Sequence, residues 1–301
     1  MAAAPTDTRT PAWQWPATGS TWRIHHSGGV DQTLAADVAA AVAADEQRWS
    51  RFRPDSEVSL ITACAGGPVR VSADTIDLLE ACVHWSAHTD GVFQPLVGAA
   101  LAAWGYRTSL LEASAGARTS PSGRPVTGTI EIDRERRVVT IPSGCAIDLG
   151  GIAKSWMAER AGRFVVARCD DPAVLVDAGG DLFSARGEHL VAVETPLAPD
   201  GPALTGVRLA EGHGIATSGY GRRSWRNADG RHAHHLIDPR TGAPGCLSHA
   251  TVLAGDPVSA DVLAKTLALR PALIEEWDVA ALVIVDGRTS TTRRGREFVR
   301  P

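Results

Sequence analysis

Residues 146–154 constrain the fold more than any other stretch, because an apolar run there stops at Asp148, turns through two glycines and continues as a helix. Adjacent glycines let the backbone approach a ligand closely, and the helix behind them presents unpaired N–H groups at its positive dipole end. Lys154 adds a positive charge on the same turn. The pattern suits phosphate, but taken alone a Gly-Gly turn that enters a helix is more often only a tight connection.

The composition is that of a globular protein rather than a nucleic-acid-binding one. The chain has 301 residues, of which 44% are hydrophobic, and its nine tryptophans add to a core large enough for one large domain or two small ones. The net charge of -4 and the isoelectric point near 6.2 provide no strongly basic surface for nucleic acid. We therefore expect no nucleic acid among the partners.

The cysteines and the N-terminal residues indicate a cytoplasmic protein. The five cysteines are odd in number, widely spaced and without a CxxC pair, as expected for reduced thiols. No apolar run approaches the ~20 residues that a membrane helix needs. The first twenty residues carry prolines and Asp7 where a signal peptide has its hydrophobic core. The sequence accordingly predicts a cytoplasmic protein with no signal peptide, lipobox or membrane segment.

The pattern of apolar residues predicts an α+β fold. Residues 1–20, rich in Ala, Pro and Thr, are expected to be a mobile N-terminal segment, and residues 21–301 to form a single composite domain. Predicted helices cover residues 31–49, 72–90 and 152–167, with a short helix ending at 104 and another opening at 259. Predicted strands cover residues 130–132, 138–141, 174–177, 190–193, 207–209, 251–254 and 280–285. Because the strands cluster rather than alternate with helices, mixed or antiparallel sheets with flanking helices are favoured over a doubly wound sheet.

Five sequence blocks follow one another in an order and at spacings that chance does not readily produce. They are SRFRPDSEVS (50–59), DGVFQPLVG (90–98) with WGY (104–106), DLGGIAK (148–154), ATSG (216–219) and HLIDPRTG (235–242), with a weaker sixth at SADVLAK (259–265). The blocks resemble those of the ApbE-type FAD:protein FMN transferases over about residues 20–290. The resemblance implies an ApbE-like fold related to the T-fold. It also implies an enzyme that moves FMN from FAD to a threonine or serine hydroxyl of an acceptor protein and releases AMP.

The resemblance further implies a set of FAD-binding residues. Phe52 corresponds to an aromatic residue that stacks beside the nucleotide, although a buried plug is the alternative interpretation. Asp148 and Lys154 correspond to contacts with the flavin nucleotide, and Thr217 and Ser218 to donors of hydroxyl and N–H groups. The remaining expected contacts are Val92, Phe93, Gln94 and His235. Cleavage of the FAD pyrophosphate needs such groups to offset negative charge and to activate a hydroxyl.

A Mg²⁺ site is also implied, and this chain departs from it at one position. The Gly151 carbonyl and the Asp261 carboxylate correspond to ligands, and Mg²⁺ prefers oxygen ligands. Lys265 stands where the family usually has a threonine ligand, and at i+4 on a helix it can pair with Asp261. Either Lys265 turns aside and water completes the metal site, or its ammonium takes over part of the metal's role. Asp261 and Lys154 are expected to be catalytic in both cases.

His235 is the expected proton acceptor of the reaction. An imidazole titrates near neutrality, which suits His235 to take the proton of the incoming hydroxyl. A structural histidine is the competing interpretation, and Asp238 and Arg240 in the same block are equally compatible with an ion pair that locks the turn. A transition-metal site in the HxHH sequence at 232–235 is disfavoured, because no acidic or thiol partner accompanies it.

Two other functions fit the same blocks. The changes at Gln94, Leu96 and Lys265 relative to the family pattern would leave a non-catalytic FAD-binding protein if they have removed turnover. Use of water in place of the acceptor hydroxyl would give a Mg²⁺-dependent FAD pyrophosphatase. Binding of FAD without release of AMP distinguishes the first alternative, and release of free FMN without acceptor labelling distinguishes the second.

Overall fold

The computed structural model describes residues 6–7, 13–27, 32–108, 124–193, 205–221, 223–226, 230–246 and 248–299. The α-helices within these ranges are α1 Gln32–Trp49, α2 Glu57–Ala63, α3 Ala73–His88, α4 Gly98–Ala103, α5 Ala153–Val166 and α6 Pro257–Leu269. Two 3₁₀ helices are Pro271–Leu273 and Arg294–Val299.

The strands of the described ranges are mostly short. The first nine are β1 Thr6–Asp7, β2 Trp13–Ala17, β3 Ser20–His26, β4 Val69–Arg70, β5 Glu131–Asp133, β6 Val138–Thr140, β7 Val174–Ala178, β8 Leu182–Arg186 and β9 His189–Val193. The other nine are β10 Thr205–Leu209, β11 Gly214–Gly219, β12 Ser224–Arg226, β13 His232–His234, β14 Ile237–Asp238, β15 Ala243–Pro244, β16 Ser248–Ala254, β17 Ala280–Val285 and β18 Arg288–Thr291. The expected α+β class is confirmed.

The chain divides into two compact units, each assembled from separate segments. The first unit comprises Met1–Ala44, Lys154–Gly221 and Leu247–Pro301, and the second comprises Asp45–Ala153 and Arg222–Cys246. The segments of the two units alternate along the chain, an arrangement that the linear pattern did not indicate, and the single domain predicted for residues 21–301 stays a prediction.

The first unit is organised on an eight-stranded antiparallel sheet. Its strand order is β18-β17-β16-β11-β8-β7-β3-β2, and each neighbouring pair is antiparallel. The edge strand β2 lies within the segment 1–20, where the composition indicated a mobile lead-in. In the register Trp15 lies opposite Trp22, so this segment contributes aromatic packing as well as a strand.

A smaller sheet, β1-β9-β10, covers part of the core of the first unit. Burial alternates along β9 and β10, as expected when one face packs and the other meets solvent. The inward residues of both sheets form one hydrophobic cluster. Its members are Leu175, Val191, Val193, Val207, Leu209, Ile215, Leu282 and Ile284.

Helix α6 packs against β11 and β16 of the large sheet and is buried along almost its whole length. It begins at Pro257, two residues before the expected start, because Asp256 is the N-cap and accepts from Ser259 N at 2.7 Å. Asp261 therefore lies in the second turn rather than at the opening. At Gly214 a Cβ would lie 2.2 Å from the Pro257 Cα, so only glycine permits this close approach of strand and helix.

The second unit contains α2, α3 and α4 with three small sheets, β4-β6-β5, β12-β13 and β14-β15. The helix predicted over residues 72–90 is confirmed as α3, which Ser72 caps, and the Ser72 hydroxyl also donates to Glu57 Oε2 at 2.8 Å. Ser56 caps α2, a helix of seven residues that the sequence pattern did not reveal. The predicted hairpin at 130–141 is confirmed as β5-β6. Most of the expected surface loop at 107–128 falls outside the described residues.

Two sequence-level expectations concern the whole chain. The five cysteines all lie in the described ranges and are not joined in disulfide bonds, in keeping with the expected reduced thiols. Within the described ranges, no helix combines the length and the apolar character that crossing a membrane requires.

Candidate functional site

Lys154 lies in the first turn of α5 and pairs through Nζ with Asp181 Oδ2. Asp181 follows the turn Gly179-Gly180 between β7 and β8, and both glycines have positive φ values, 76° and 104°. Such backbone angles favour glycine, so this Gly-Gly turn sets the direction in which the chain presents Asp181. The sequence pattern indicated sheet geometry here and did not predict Asp181 as a site residue.

Asp261 is fully buried and has two partners in the same unit. Ser155 Oγ donates to its Oδ2 at 3.0 Å, and Lys265 Nζ pairs with its Oδ1. The pairing expected from the i, i+4 spacing is confirmed, and Thr266 instead turns its hydroxyl to the Val262 carbonyl at 2.9 Å. Burial raises the pKa of Asp261, whereas Lys265 and Lys154 favour its charged form.

These five residues, Lys154, Ser155, Asp181, Asp261 and Lys265, are called the buried charge cluster. Two carboxylates face two ammonium groups, so their formal charges cancel. Both oxygens of Asp261 already accept hydrogen bonds, one from the Ser155 hydroxyl and one from the Lys265 ammonium. Mg²⁺ is usually bound through one or two carboxylates, and at Asp261 the Lys265 ammonium competes for the same oxygens. The donor set at Asp261 does not fit such an ion.

The ATSG block forms the end of β11, next to β16. Its two predicted hydroxyl donors point to opposite faces, because side chains alternate along a strand. Thr217 is exposed, and its Oγ1 lies 2.9 Å from Thr251 Oγ1 on the paired strand. Ser218 is only 5% exposed. Of the two hydroxyls, only that of Thr217 is placed on an accessible face.

In the second unit, Arg51 connects three of the sequence blocks. Its Nε lies 2.5 Å from Asp148 Oδ2, and its Nη2 donates to the Tyr106 carbonyl at 2.7 Å. The guanidinium also lies 4.3 Å from the Phe52 ring centroid and 4.6 Å from that of Tyr106. Blocks 50–59, 104–106 and 148–154 therefore meet at one residue, whose role the sequence alone did not indicate.

An aromatic cluster extends from this arginine, comprising Phe52, Tyr106, Trp225 and Trp104. Phe52 meets Tyr106 edge to face at 5.4 Å, and Tyr106 lies 5.4 Å from Trp225. Trp225 Nε1 donates to the Trp104 carbonyl, and Trp104 Nε1 donates to the Gly242 carbonyl, each at 2.9 Å. The cluster thereby reaches the HLIDPRTG block. Phe52 is 37% exposed, so the alternative of a buried plug is wrong.

The turn at residues 148–151 is held at both carboxylate oxygens of Asp148. Oδ1 accepts from Gly150 N at 2.9 Å, and Oδ2 faces Arg51. Gly151 is the last residue of this turn and precedes the start of α5 at Ala153, as expected for a glycine turn at a helix N-terminus. The turn between the apolar run and the helix is thus anchored by the Asp148 carboxylate.

The expected FAD-lining residues 92–94 adopt a local turn of their own. Val92 and Phe93 are 8% and 6% exposed, so each offers only a small surface to a ligand. Gln94 Oε1 accepts from Leu96 N at 3.2 Å. The amide at position 94 therefore closes this turn.

His235 follows β13 and is partly exposed. Its Nδ1 lies 3.4 Å from the Arg223 carbonyl, which only accepts, so Nδ1 carries the proton and Nε2 carries the lone pair. The neighbouring turn is locked as anticipated: Asp238 Oδ1 accepts from Arg240 N at 3.0 Å and lies 3.8 Å from Arg240 Nε. A neutral imidazole in this tautomer can accept a proton at Nε2.

The comparisons with known proteins agree with these motifs. The sequence model of the ApbE family matches residues 18–280. The chain is 26% identical over 246 residues to the FAD:protein FMN transferase of Klebsiella pneumoniae (strain 342), with 77% of this chain and 74% of the relative covered. It is 29% identical over 242 residues to the FAD:protein FMN transferase of Treponema pallidum (strain Nichols), with 73% and 66% covered.

The fold is also that of a solved ApbE structure. The crystal structure of the ApbE protein from Thermotoga maritima matches with a TM-score of 0.80 at 23% identity, covering 96% of this chain and 99% of that one. The family match spans all the sequence blocks from Arg51 to Lys265. The chain therefore belongs to the ApbE family.

Proposed function

We propose that this chain is an FAD:protein FMN transferase, which moves FMN from FAD to a threonine or serine hydroxyl of an acceptor protein and releases AMP. Relatives that cover about three quarters of the chain carry this name. The structural observation that supports it most directly is the buried charge cluster. It holds two ammonium groups, Lys154 and Lys265, in positions fixed by carboxylates. Fixed cations suit a substrate whose reacting part is a diphosphate.

The proposed reaction forms a bond from the acceptor oxygen to the phosphorus of the FMN half. The bond from that phosphorus to the bridging oxygen breaks, and the electron pair leaves with AMP. His235 takes the hydroxyl proton at Nε2, since its Nδ1 is hydrogen-bonded to the Arg223 carbonyl. Lys154 and Lys265 are each paired with an aspartate, but an ammonium has three N–H donors, of which the aspartate need use only one, so each lysine can also donate to the phosphates.

The second unit is proposed to bind the flavin nucleotide. Phe52 offers a partly exposed ring with a guanidinium close to it, an arrangement suited to stacking with a planar ligand. Asp148 is proposed to contact the flavin nucleotide. A separate proposal is that Thr217 donates its hydroxyl to the FAD. The roles of Val92 and Phe93 are proposed as packing. The free cysteines support a reducing compartment such as the cytoplasm for this activity.

Magnesium bound to the protein, when present in such an enzyme, would supply charge neutralisation at the pyrophosphate. Gly151 and Asp261 are the residues that the family resemblance assigns to it. The pairing of Asp261 with Lys265 does not fit this role. We propose instead that the ammonium of Lys265 supplies the positive charge at this position.

The proposed function is tested by incubating the protein with FAD and a candidate acceptor and measuring the mass of the acceptor. The expected result is an increase by one FMN with release of one AMP. Retention of FAD without release of AMP would identify a flavin-holding protein. Release of FMN and AMP without labelling of any acceptor hydroxyl would identify a pyrophosphatase.

The role of Lys265 is tested by Lys265→Thr. The wild type should transfer FMN at the same rate in EDTA as in Mg²⁺, whereas Lys265→Thr should require Mg²⁺ and be stimulated roughly tenfold or more by it. Lys265→Met removes the ammonium without supplying a hydroxyl, and it should be poor under both conditions. Equal stimulation of the wild type and Lys265→Thr by Mg²⁺ would contradict the proposed substitution of ammonium for metal.

A further inference from the structure

A cysteine, a histidine and an aspartate meet in the first unit, outside the sequence blocks of the family. His26 ends β3, and Cys169 and Asp171 lie in the connection from α5 to β7. His26 Nε2 is 2.7 Å from Cys169 Sγ, and His26 Nδ1 is 3.1 Å from Asp171 Oδ2. These three side chains are called the thiol triad. The His26 imidazole is placed to accept the thiol proton at Nε2, and the Asp171 carboxylate faces the other ring nitrogen.

The carboxylate of the thiol triad is fixed. Asp171 Oδ1 accepts from Ser27 Oγ at 2.7 Å, Ser27 N at 3.1 Å and Ala173 N at 2.9 Å, while Oδ2 faces His26. Burial raises the pKa of Asp171, but these hydrogen bonds outweigh it, so the net effect lowers the pKa. An ionised carboxylate at Nδ1 selects the tautomer with its proton there. Nε2 is then the proton acceptor for the thiol.

The connection that carries the thiol is also held in place. The Arg186 guanidinium donates to the carbonyls of Cys169 at 2.9 Å, Asp171 at 3.0 Å and Val166 at 3.0 Å. The side chains of His26 and Asp171 are each 2% exposed, whereas Cys169 is partly exposed. The nearly closed side chains of His26 and Asp171 leave Cys169 as the point of attack for a small reagent.

The same three residues also have the ligand types of a metal site. Two features argue against one. His26 turns opposite ring nitrogens to Cys169 and to Asp171, and a single ion can bind only one nitrogen of a ring. Asp171 Oδ1 is also occupied by three donors. The arrangement is that of an activated thiol.

We propose that Cys169 is a reactive cysteine: His26, held by Asp171, takes the proton of its thiol, and hydroperoxides oxidise the sulfur to a sulfenic acid. The sulfur attacks one peroxide oxygen, an S–O bond forms and the O–O bond breaks. The sulfur loses two electrons to the peroxide, and the departing oxygen takes its proton from the His26 imidazolium as water or an alcohol. A small thiol can then condense with the sulfenic acid, with loss of water, to form a mixed disulfide.

The other cysteines serve as internal references. Cys64 and Cys246 are exposed, Cys82 is buried, and burial raises the pKa of both Cys82 and Cys145. If exposure alone governed reactivity, Cys64 and Cys246 would react before Cys169. If the thiol triad governs it, Cys169 reacts first, because the thiolate is the nucleophile.

The test measures alkylation of each cysteine in the full-length protein by iodoacetamide at pH 7, with peptide mass spectrometry. Cys169 is expected to react roughly tenfold faster than Cys64, since an ordinary thiol is only a few per cent ionised at this pH. His26→Asn should bring Cys169 to or below the rate of Cys64. Asp171→Asn should slow it, whereas Asp170→Asn, which removes the exposed neighbouring charge, should not.

The oxidation step is tested by treating the protein with hydrogen peroxide and trapping sulfenic acid with dimedone. The adduct is expected on Cys169 before any other cysteine. Alkylation of Cys169 no faster than that of Cys64, or preferential trapping elsewhere, would overturn the proposal. Tight binding of one Zn²⁺ that is lost in Cys169→Ser would also overturn it, in favour of a metal site. Should His26→Asn fail to fold, the ratio of Cys169 to Cys64 rates in the wild type still decides.

Discussion

Asp261→Ala is expected to lower the free energy of unfolding by about 3–5 kcal/mol and to abolish FMN transfer. The substitution leaves the ammonium of Lys265, whose side chain is only 12% exposed, without its carboxylate. Removal of one partner of a buried ion pair is strongly destabilising because the remaining charge is uncompensated. Urea denaturation followed by circular dichroism measures the first effect, and acceptor mass the second.

The control is the double variant Asp261→Leu with Lys265→Met. Replacement of a buried pair by apolar residues of similar volume is often neutral or stabilising, so most of the lost stability should return. FMN transfer should not return. The Lys265 ammonium, proposed to act on the phosphates, and the Asp261 carboxylate, which holds that ammonium, are both gone. If Asp261→Ala alone were as stable as the wild type, the pair would not be buried in solution as the structure has it.

His235→Ala is expected to lower the rate of FMN transfer by about 10²–10⁴-fold while FAD still binds. The proton of the acceptor hydroxyl then has no fixed acceptor, whereas binding of the nucleotide is proposed to rest on other residues. Transfer is measured by acceptor mass in single-turnover experiments, and binding by retention of FAD on the protein.

The matched control for this variant is His232→Ala. His232 lies three residues earlier on β13 and is exposed, so its removal changes composition and charge in the same way without changing the proposed acceptor. We expect transfer close to that of the wild type. Loss of FAD binding in His235→Ala, with transfer restored by excess FAD, would show that His235 binds rather than accepts the proton.

Features determined by nearby residues could be predicted from the sequence. The helix α1 buries Leu34, Val38, Val42 and Trp49, as their helical spacing indicates. The hydroxyl cap at Ser72 and the pairing of Lys265 with Asp261 depend on separations of three and four residues. In each case the geometry of one helix decides the contact.

Contacts between distant segments could not be predicted in this way. Ser155 reaches Asp261 across 106 residues, and Trp225 reaches Trp104 across 121. No periodicity connects such positions, because tertiary packing and not the linear order brings them together. Trp225 lies in a polar, Arg-rich stretch that indicated no site. Asp181 follows two glycines whose presence the turn alone explained, so it was not considered as a site residue. The strand β2 was missed because a composition rich in Ala, Pro and Thr conceals the residues Trp13 and Trp15.

Thr217 is the exposed residue of the otherwise mostly buried strand β11, and its neighbour Ser218 is buried, which bears on how selectivity could be engineered. A library that varies Thr217 changes groups presented on the accessible face while the scaffold stays intact. A library that varies Ser218 disturbs the interior and selects for folding before it selects for any ligand. Thr217 and Ser218 are adjacent in the ATSG motif, but only Thr217 is suited to randomisation, and Ser218 should be kept.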